Sequence, residues 1–403
     1  MALLETTRDV PAHVPPDLVK PFDFRQGLGD RPHEVIARLH EGPRVFWSPI
    51  HQMADFGVGH WVLTKAEDVR AVLQDTDRFS SENMTGRSAA LGAPLVPIEY
   101  DPPQHSAYRA LMNPIFSPKR MKAMEDRIRE RAAGFIEPLV ARGECDYVPE
   151  FAQKFPAAVF VELMGLPQEE TAHFLHWESE LMSGDMAAKR RATGDVVDYL
   201  RDLLNERRAR PVDDLMSFAI QAELEGRKLN DDEVKGMTFL LFMAGLDTVA
   251  SALSWQMRHL AEHPADQQRL RDEPEIVTDA MEEMMRAYST VSSSRWCIQD
   301  TELGEVTIKA GDLVTASTIC ANLDPDEFDN PTAVDFGRQA DRHTAFAYGP
   351  HRCLGSHLAR REMVIAHQEW HRLVPTYRMK PGAMLTMHGG GVLGLDTLPL
   401  VWG

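Results

Sequence analysis

Residues 346–355 read Phe-Ala-Tyr-Gly-Pro-His-Arg-Cys-Leu-Gly, and the rest of the chain is best interpreted outward from this stretch. Its cysteine, Cys353, lies in a loop marked by two glycines and a proline, and a helical pattern begins at Ser356. The free N–H groups and the dipole at a helix start favour an anionic sulfur. Glycines let the backbone approach a flat ligand closely because they carry no Cβ. A thiolate in this setting suits the fifth ligand of a haem iron.

Two other interpretations of the cysteine remain open from the loop alone. Cysteine outside a disulfide is most often a buried, inert core residue. A metal site is the other alternative, built from His351, Cys353 and His357, although these lack the paired Cys-x-x-Cys or His-x₃-His spacing of zinc sites. The pattern therefore leaves a haem ligand, an inert thiol and a metal ligand to be distinguished.

Composition excludes several classes of protein. The chain has 403 residues, a formal net charge of −18 and a pI of about 5.3, which argues against nucleic acid as a partner. Its cysteines are widely spaced without a framework pattern, at Cys145, Cys297, Cys320 and Cys353. Such usage fits a reducing cytoplasm. Residues 1–20 contain three prolines and no apolar run, and no later segment offers about 18 uncharged apolar residues, so we expect neither a signal peptide nor a membrane anchor.

The longest predicted helix begins after Asn230, an N-cap followed three residues later by a glutamate as in a capping box, and ends before Pro264. Its middle, residues 239–249, is apolar apart from Asp247 and Thr248. An unpaired buried carboxylate is costly, so the aspartate needs an explanation. By itself the pattern is consistent with a kinked helix whose aspartate forms a salt bridge elsewhere.

Further features are ambiguous by themselves. Residues 80–100 are irregular, and a loop of that length is uncommon without a function. We interpret it as part of a ligand pocket, with a mobile surface loop as the alternative. His105 and Arg109 share one face of a helix, and Glu283 and Arg286 share one face of another, as solvated pairs commonly do.

Together these features resemble the cytochrome P-450 family of haem-thiolate monooxygenases. The cysteine loop of that family usually reads Phe-Gly-x-Gly-x-His/Arg-x-Cys-x-Gly, and this chain departs from it only in Ala347. Matching motifs follow in the family's order at residues 101–109, 244–248, 283–286, 295 and 322–325. The resemblance implies one mainly α domain over residues 1–403, a helical bundle around haem with a smaller β-rich part.

The resemblance also implies roles for individual residues. Cys353 would be the axial ligand, and so the metal ligand, of heme b (iron protoporphyrin IX). Side chains that would bind the haem or its propionates are His105, Arg109, Arg295 and His351. Asp247 would feed a proton relay, Thr248 would hydrogen-bond dioxygen or water, and the small Ala244 and Gly245 would leave room above the iron. Positions that match the substrate pocket are Val96, Leu240, Ala244, Val291 and Val392.

In this family the Glu283–Arg286 pair is buried, structural and joined by a downstream arginine, for which Arg338 is the best match. The likeness is closest to the bacterial camphor-hydroxylating branch, notably in the Leu-Pro-Leu-Val-Trp ending, residues 398–402. That branch anchors its ketone with a tyrosine, where this chain offers Ala93 or a neighbour. A small hydrophobic substrate such as another monoterpenoid or a norisoprenoid is therefore expected.

The implied protein is a bacterial, cytoplasmic, monomeric enzyme of terpenoid hydroxylation that binds neither nucleic acid nor membrane. It would use dioxygen and take electrons from NAD(P)H through a reductase and a small acidic 2Fe–2S ferredoxin. Arginines near the cysteine loop would attract that ferredoxin: Arg109, Arg352, Arg360 and Arg361. A peroxide-driven relative would be expected to lose Asp247 and Thr248, and a non-catalytic haem sensor would not need Thr248.

Overall fold

The computed structural model describes residues 10–50, 58–85, 88–183 and 186–403. In this part of the chain the helices, numbered in chain order, are α1 (Pro32–Ala37), α2 (Ala66–Gln74), α3 (Ser88–Leu91), α4 (Gln104–Met112), α5 (Pro118–Ala123), α6 (Glu125–Val140), α7 (Lys154–Leu163), α8 (Thr171–Ser183), α9 (Met186–Ala209), α10 (Leu215–Gln221), α11 (Asp231–Glu262), α12 (Pro264–Asp272), α13 (Val277–Ala287), α14 (Thr318–Asn322) and α15 (Ser356–Leu373).

The strands are short by comparison. They are β1 (Val45–Ser48), β2 (His60–Leu63), β3 (Phe79–Ser80), β4 (Glu144–Asp146), β5 (Glu223–Leu224), β6 (Arg227–Lys228), β7 (Ser292–Cys297), β8 (Thr301–Leu303), β9 (Val306–Ile308), β10 (Leu313–Ser317), β11 (Tyr377–Met379), β12 (Met387–His388), β13 (Gly394–Leu395) and β14 (Pro399–Trp402). The expectation of a mainly helical chain with a smaller β part is confirmed.

The described residues form two compact units. The first consists of the described residues within Met1–Gly86, Glu282–Cys353 and Met387–Gly394. The second consists of the described residues within Arg87–Met281, Leu354–Thr386 and Leu395–Gly403. Each unit is described by itself below, and the prediction of a single family domain over residues 1–403 stays a prediction.

A five-stranded sheet in the order β1-β2-β10-β7-β3 organises the first unit. β2 pairs antiparallel with β1, placing Trp61 opposite Trp47, and parallel with β10, placing Trp61 beside Val314. All four residues of β2 are buried, so both faces of this strand are covered and its sequence does not alternate between apolar and polar residues. Val69 and Leu73 of α2 belong to the same apolar cluster as Trp61.

The first unit also contains the predicted glutamate–arginine network. Arg286 donates to Glu283 through Nε and Nη2, both at 2.7 Å, and neither side chain is exposed. Arg338 donates from Nε to Glu283 Oε1 at 3.0 Å. The interpretation as a surface pair is therefore wrong, and the buried pair joined by Arg338, which is half-buried, is confirmed. The network also holds a distant segment of the unit in place, because Arg286 donates to the carbonyl of Asn322 at 2.9 Å.

The second unit is built around α11, which has 32 residues. The predicted capping box forms: Asn230 Oδ1 accepts from the Glu233 amide at 2.9 Å, and Glu233 Oε2 accepts from the Asn230 amide at 2.7 Å. By length and composition this helix could cross a membrane, but 61% of its most apolar window is buried inside the protein, as in a core helix. It carries the acid and alcohol that the sequence singled out.

Candidate active site

The cysteine loop is held in the first unit by its own backbone. The amide of Cys353 donates to the Phe346 carbonyl at 2.9 Å, and the amide of Ala347 donates to the Thr344 carbonyl at 2.8 Å. Cys353 comes three residues before Ser356, where α15 begins. The predicted position of the cysteine, in a loop directly ahead of a helix, is confirmed.

Two residues of this loop adopt the left-handed backbone conformation. Gly349 has a φ of +70°, and a Cβ added there would lie 2.4 Å from the Leu73 carbonyl oxygen, so no larger residue fits. Ala347, the residue that departs from the family pattern, has a φ of +58°. Such a conformation costs an L-residue about 1–2 kcal/mol. The methyl group of Ala347 packs against the apolar cluster of the unit, which offsets part of that cost.

Exposure separates Cys353 from the other cysteines. Cys145, Cys297 and Cys320 are buried, and burial raises the pKa of the Cys145 and Cys320 thiols to about 12. The Cys353 side chain is exposed, so the interpretation as an inert core thiol is wrong. Among the described residues no cluster of three or more His, Cys, Asp or Glu side chains could hold a metal ion.

Two further cofactor candidates lie in the first unit. Arg295 is on β7 and only 3% exposed, with Nη1 donating to the Ser294 carbonyl at 2.7 Å. A buried guanidinium is suited to binding a carboxylate through two parallel hydrogen bonds. His351 is half-buried, and its Nε2 lies 3.2 Å from the hydroxyl of Ser81.

The same unit brings two pocket candidates together. Val291 and Val392 form an isolated antiparallel bridge between their backbones. The Leu393 amide donates to the Thr290 carbonyl at 2.8 Å and fixes this register. Both valines are half-buried, so they present apolar surface beside one another.

In the second unit, the middle of α11 has an open stripe. Leu240, Ala244 and Thr248 are spaced by four residues and so lie along one side of the helix. Ala244 is exposed, and Leu240 and Thr248 are half-buried, although most of α11 is buried. An exposed alanine at the centre of a core helix indicates a space that a ligand can occupy.

The neighbouring glycine packs closely against another helix of the unit. A Cβ added to Gly245 would lie 3.1 Å from Cδ2 of Phe160 on α7. Gly245 therefore makes room for an aromatic ring, while Ala244 is the small residue on the open stripe. This packing explains a glycine that destabilises a helix interior by about 1 kcal/mol relative to alanine.

The acid and the alcohol of α11 have separate surroundings. The hydroxyl of Thr248 donates to the Ala244 carbonyl at 3.0 Å. Asp247 is 8% exposed, and its Oδ1 accepts from the hydroxyl of Ser251 at 3.3 Å. Consecutive residues of a helix point about 100° apart, so the two side chains leave the helix in different directions. This arrangement allows them to perform separate steps.

The remaining candidates of the second unit lie on α4 and in the segment before it. His105 is buried, whereas Arg109 is half-buried and its Nε donates to Asn113 Oδ1 at 3.1 Å. Val96 is fully buried. The predicted residues thus divide between the units: the first holds Val291, Arg295, His351, Cys353 and Val392, and the second holds Val96, His105, Arg109, Leu240, Ala244, Asp247 and Thr248.

Tyr100, the tyrosine nearest in sequence to Ala93, is engaged within the protein. Its ring stacks on that of Tyr108 with centroids 5.4 Å apart. The Tyr108 hydroxyl donates to Glu233 Oε1 at 2.5 Å. The pKa of Tyr108 is raised, mainly by burial and further by this hydrogen bond. Sequence reasoning missed this network, which joins α4 to the start of α11.

Three observations, each within one unit, fit a haem group. Of the chain's four cysteines, Cys353 is the one whose side chain is exposed. Arg295 offers a buried cation of the kind that binds a carboxylate. Ala244 leaves open space in the middle of a core helix. An accessible cysteine sulfur, a buried cation and small apolar surface are each features that haem-binding proteins of the thiolate class use.

Comparisons with known proteins agree over nearly the whole chain. The family model described as Cytochrome P450 matches residues 171–370. The chain is 41% identical to Probable cytochrome P450 127A1 of Sinorhizobium fredii, over 98% of this chain and 97% of that protein. It is 32% identical to Vitamin D(3) 25-hydroxylase of Pseudonocardia autotrophica, over 85% and 86% respectively. The crystal structure of Cytochrome P450 CYP101C1 has a TM-score of 0.89 at 33% identity and covers 98% of this chain and 100% of its own.

Proposed function

Because the chain belongs to the cytochrome P450 family of monooxygenases, we propose that it hydroxylates a small hydrophobic substrate, a monoterpenoid or norisoprenoid, with electrons from a ferredoxin. The family's cofactor is heme b held by a cysteine thiolate, which activates dioxygen so that one oxygen atom is inserted into a C–H bond. We assign the thiolate to Cys353, and the observation that carries this assignment is its exposure beside three buried cysteines.

The other residues of this chain would orient the cofactor and move protons. Arg295, His105 and Arg109 are proposed to bind the propionates, together with His351. The Thr248 hydroxyl, whose hydrogen is directed at Ala244, keeps its oxygen lone pairs available to accept a hydrogen bond from water or a protonated oxygen. Asp247 is proposed to deliver protons from its own side of the helix.

The proposed substrate is apolar because the candidate pocket side chains are aliphatic: Val96, Leu240, Ala244, Val291 and Val392. The ring of Tyr100 stacks on that of Tyr108, so we do not expect Tyr100 to replace the tyrosine anchor that the camphor-hydroxylating branch has where this chain has Ala93. A neutral hydrogen bond is worth about 0.5–1.5 kcal/mol. We therefore expect a bicyclic ketone such as camphor to bind within tenfold of its hydrocarbon, bornane, in a spectral titration. Much tighter binding of the ketone would contradict this assignment.

The proposed redox partner is a small acidic 2Fe–2S ferredoxin with its NAD(P)H-dependent reductase. The protein that it reduces is proposed to be a monomer in the bacterial cytoplasm. The protein is strongly acidic overall, yet Arg360 and Arg361 lie on α15 directly after the cysteine loop. Arg361 Nη1 is 2.8 Å from Glu125 Oε2, which holds its guanidinium in place. Opposite charges accelerate encounter and make it sensitive to salt. Electron transfer that is equally fast at low and high ionic strength would count against this partner.

A pair of variants tests the central assignment. Cys353→His is expected to abolish the red-shifted Soret band that the reduced carbon monoxide adduct of a haem thiolate shows. Cys297→Ser changes a buried cysteine and should keep the band. Retention of the band in Cys353→His would overturn the assignment.

Turnover separates the proposed function from its alternatives. We expect product with NAD(P)H, a ferredoxin and its reductase, and little with hydrogen peroxide alone. Product from peroxide alone would indicate a peroxide-driven enzyme. The absence of product from either system, across a terpenoid panel that changes the haem spin state, would indicate a haem sensor.

A further inference from the structure

Gly236, near the start of α11, lies directly beneath another segment of the second unit. A Cβ added to Gly236 would be 1.9 Å from the carbonyl oxygen of Pro94 and 3.5 Å from the amide nitrogen of Val96. Both are backbone atoms, which cannot rotate away as a flexible side chain can. Glycine destabilises a helix interior relative to alanine, so this glycine has a packing role: it lets residues 94–96 rest on the helix.

Gly236 continues the row of the open stripe towards the start of α11. It precedes Leu240, Ala244 and Thr248 at the same spacing of four residues, a row that turns by about 40° at each step, so Gly236 lies about 40° around the helix from Leu240 and about 120° from Thr248. With a rise of 1.5 Å per residue, Gly236 is about 18 Å from Thr248 along the axis. Leu240, Ala244 and Thr248 are partly or fully open, whereas Gly236 is covered. Residues 94–96 therefore close one end of the stripe.

The covering segment is held in place independently of the glycine. The Leu95 amide donates to Glu99 Oε2 at 3.0 Å, and Glu99 is only 3% exposed. Tyr100 stacks on Tyr108, whose hydroxyl donates to Glu233 at 2.5 Å, three residues before Gly236. The segment thus meets α11 directly at Gly236, and a few residues later its Tyr100 stacks on Tyr108 of α4, which is itself hydrogen-bonded to α11 through Glu233.

We propose that Gly236 is a specificity-determining residue that limits substrate length by seating residues 94–96 across the end of the stripe. This inference rests on the proposed function, since it assumes that the apolar substrate lies along Leu240 and Ala244 towards Thr248. The chain accordingly takes substrates no longer than the open part of the stripe, about 12 Å from Leu240 to Thr248. Gly236 touches no substrate itself, and it acts through the backbone that it supports.

The test is Gly236→Ala in the haem-loaded protein, with Gly134→Ala as the matched control. Gly134 lies inside α6, and nothing lies within 4 Å of a Cβ added there. The probes are cyclohexanes carrying n-alkyl chains of one to six carbons, and their dissociation constants are read from the haem spin-state change. The added methyl should lift residues 94–96 and open the end of the stripe. We expect the longest probe to gain at least tenfold in affinity and the shortest to change less than twofold.

A second readout needs no ligand. The amide of Leu95 should exchange its hydrogen at least tenfold faster in Gly236→Ala than in the parent, and Gly134→Ala should match the parent. An unchanged profile of probe length, or an equal loss of affinity for every probe, would overturn the proposal.

If Gly236→Ala does not load haem, Leu240→Ala tests whether this end of the stripe limits substrate length, because it removes side-chain volume next to Gly236 without lifting residues 94–96. It should also favour the longer probes, and an unchanged profile would sink the idea. Binding and exchange require no electron supply, so failure of hydroxylation alone would count against the proposed function and leave this inference standing.

Discussion

Thr248 donates its hydroxyl hydrogen to the carbonyl oxygen of Ala244, one turn earlier in α11, at 3.0 Å. Because the hydrogen is used in this bond, the hydroxyl oxygen can only accept a further hydrogen bond, on the open side of the helix. We expect Thr248→Ala to keep NAD(P)H consumption but to divert electrons to hydrogen peroxide. A hydrogen bond of about 0.5–1.5 kcal/mol predicts a loss of up to tenfold in product formed per NAD(P)H.

Thr248→Ser retains the hydroxyl and serves as the control, with coupling close to that of the parent. NAD(P)H consumed, peroxide released and product formed are measured side by side. Full coupling in Thr248→Ala would mean that another group or the substrate supplies this hydrogen bond.

Asp247→Asn is expected to produce a different defect. The carboxylate is nearly buried and can exchange protons, whereas an amide of the same shape cannot. Loss of a proton carrier costs about 10²-fold or more in rate, so NAD(P)H consumption should slow while product per electron falls less. Ser251→Ala removes the hydroxyl that donates to Asp247 but leaves the carboxylate. An equal slowing in both variants would assign the effect to that hydrogen bond rather than to proton delivery.

Gly349→Ala should disrupt the cysteine loop. It combines a φ of +70° with a Cβ only 2.4 Å from the Leu73 carbonyl oxygen. Gly311→Ala is the matched control, since Gly311 has a φ of +94° and open space around an added Cβ. Overpacking costs about 1–3 kcal/mol, and Gly349→Ala should be destabilised by that amount beyond the control in denaturant unfolding. It should also lose the thiolate Soret band, and equal stability of the two variants would contradict the close contact.

Acid should destabilise the protein through buried histidines of the second unit. Burial lowers the pKa of His367 to about 3 and that of His371 to about 4. His367 Nε2 lies 2.7 Å from Gln256 Oε1, and His371 Nε2 lies 3.1 Å from the Tyr377 hydroxyl. The unfolded chain, with histidine pKa values of about 6.5, binds more protons below that pH.

Above pH 6.5 these histidines are neutral in both states and cost nothing; as the pH falls, protonation of the unfolded chain lowers the free energy of unfolding, down to about pH 4 for His371 and about pH 3 for His367. Each histidine contributes a slope of up to about 1.4 kcal/mol per pH unit to the free energy of unfolding. His371→Gln should flatten that slope between pH 6.5 and 5, measured by denaturant unfolding. The exposed His176 provides the control, and an equal change in His176→Gln would rule out burial as the cause.

Local patterns in the sequence were sufficient for several elements. The Asn230–Glu233 capping box and the Glu283–Arg286 pair depend on residues three apart, and both form as predicted. That the second pair is buried could not be derived from spacing, because surface and core pairs share it. The resemblance supplied the burial.

Contacts between distant segments were beyond the sequence pattern. Tyr108 and Glu233 are 125 residues apart, and no periodicity connects them. One sequence feature could have indicated the contact between Pro94 and Gly236: a glycine inside a predicted helix, four residues before Leu240. Gly245 shows why that signal is weak, since its neighbour proved to be the aromatic ring of Phe160.

The hydrogen bond between Gln256 and His367 joins α11 to α15 across 111 residues of sequence. During translation, at roughly 5–20 residues per second, the apolar α11 therefore waits about 6–22 s for the helix that helps to cover it. A ribosome that stalls within this interval leaves exposed a helix of membrane-spanning length and composition. Yield of the folded protein in cells should accordingly depend on chaperones that shield apolar nascent segments, and on the speed at which the codons between Gln256 and His367 are read.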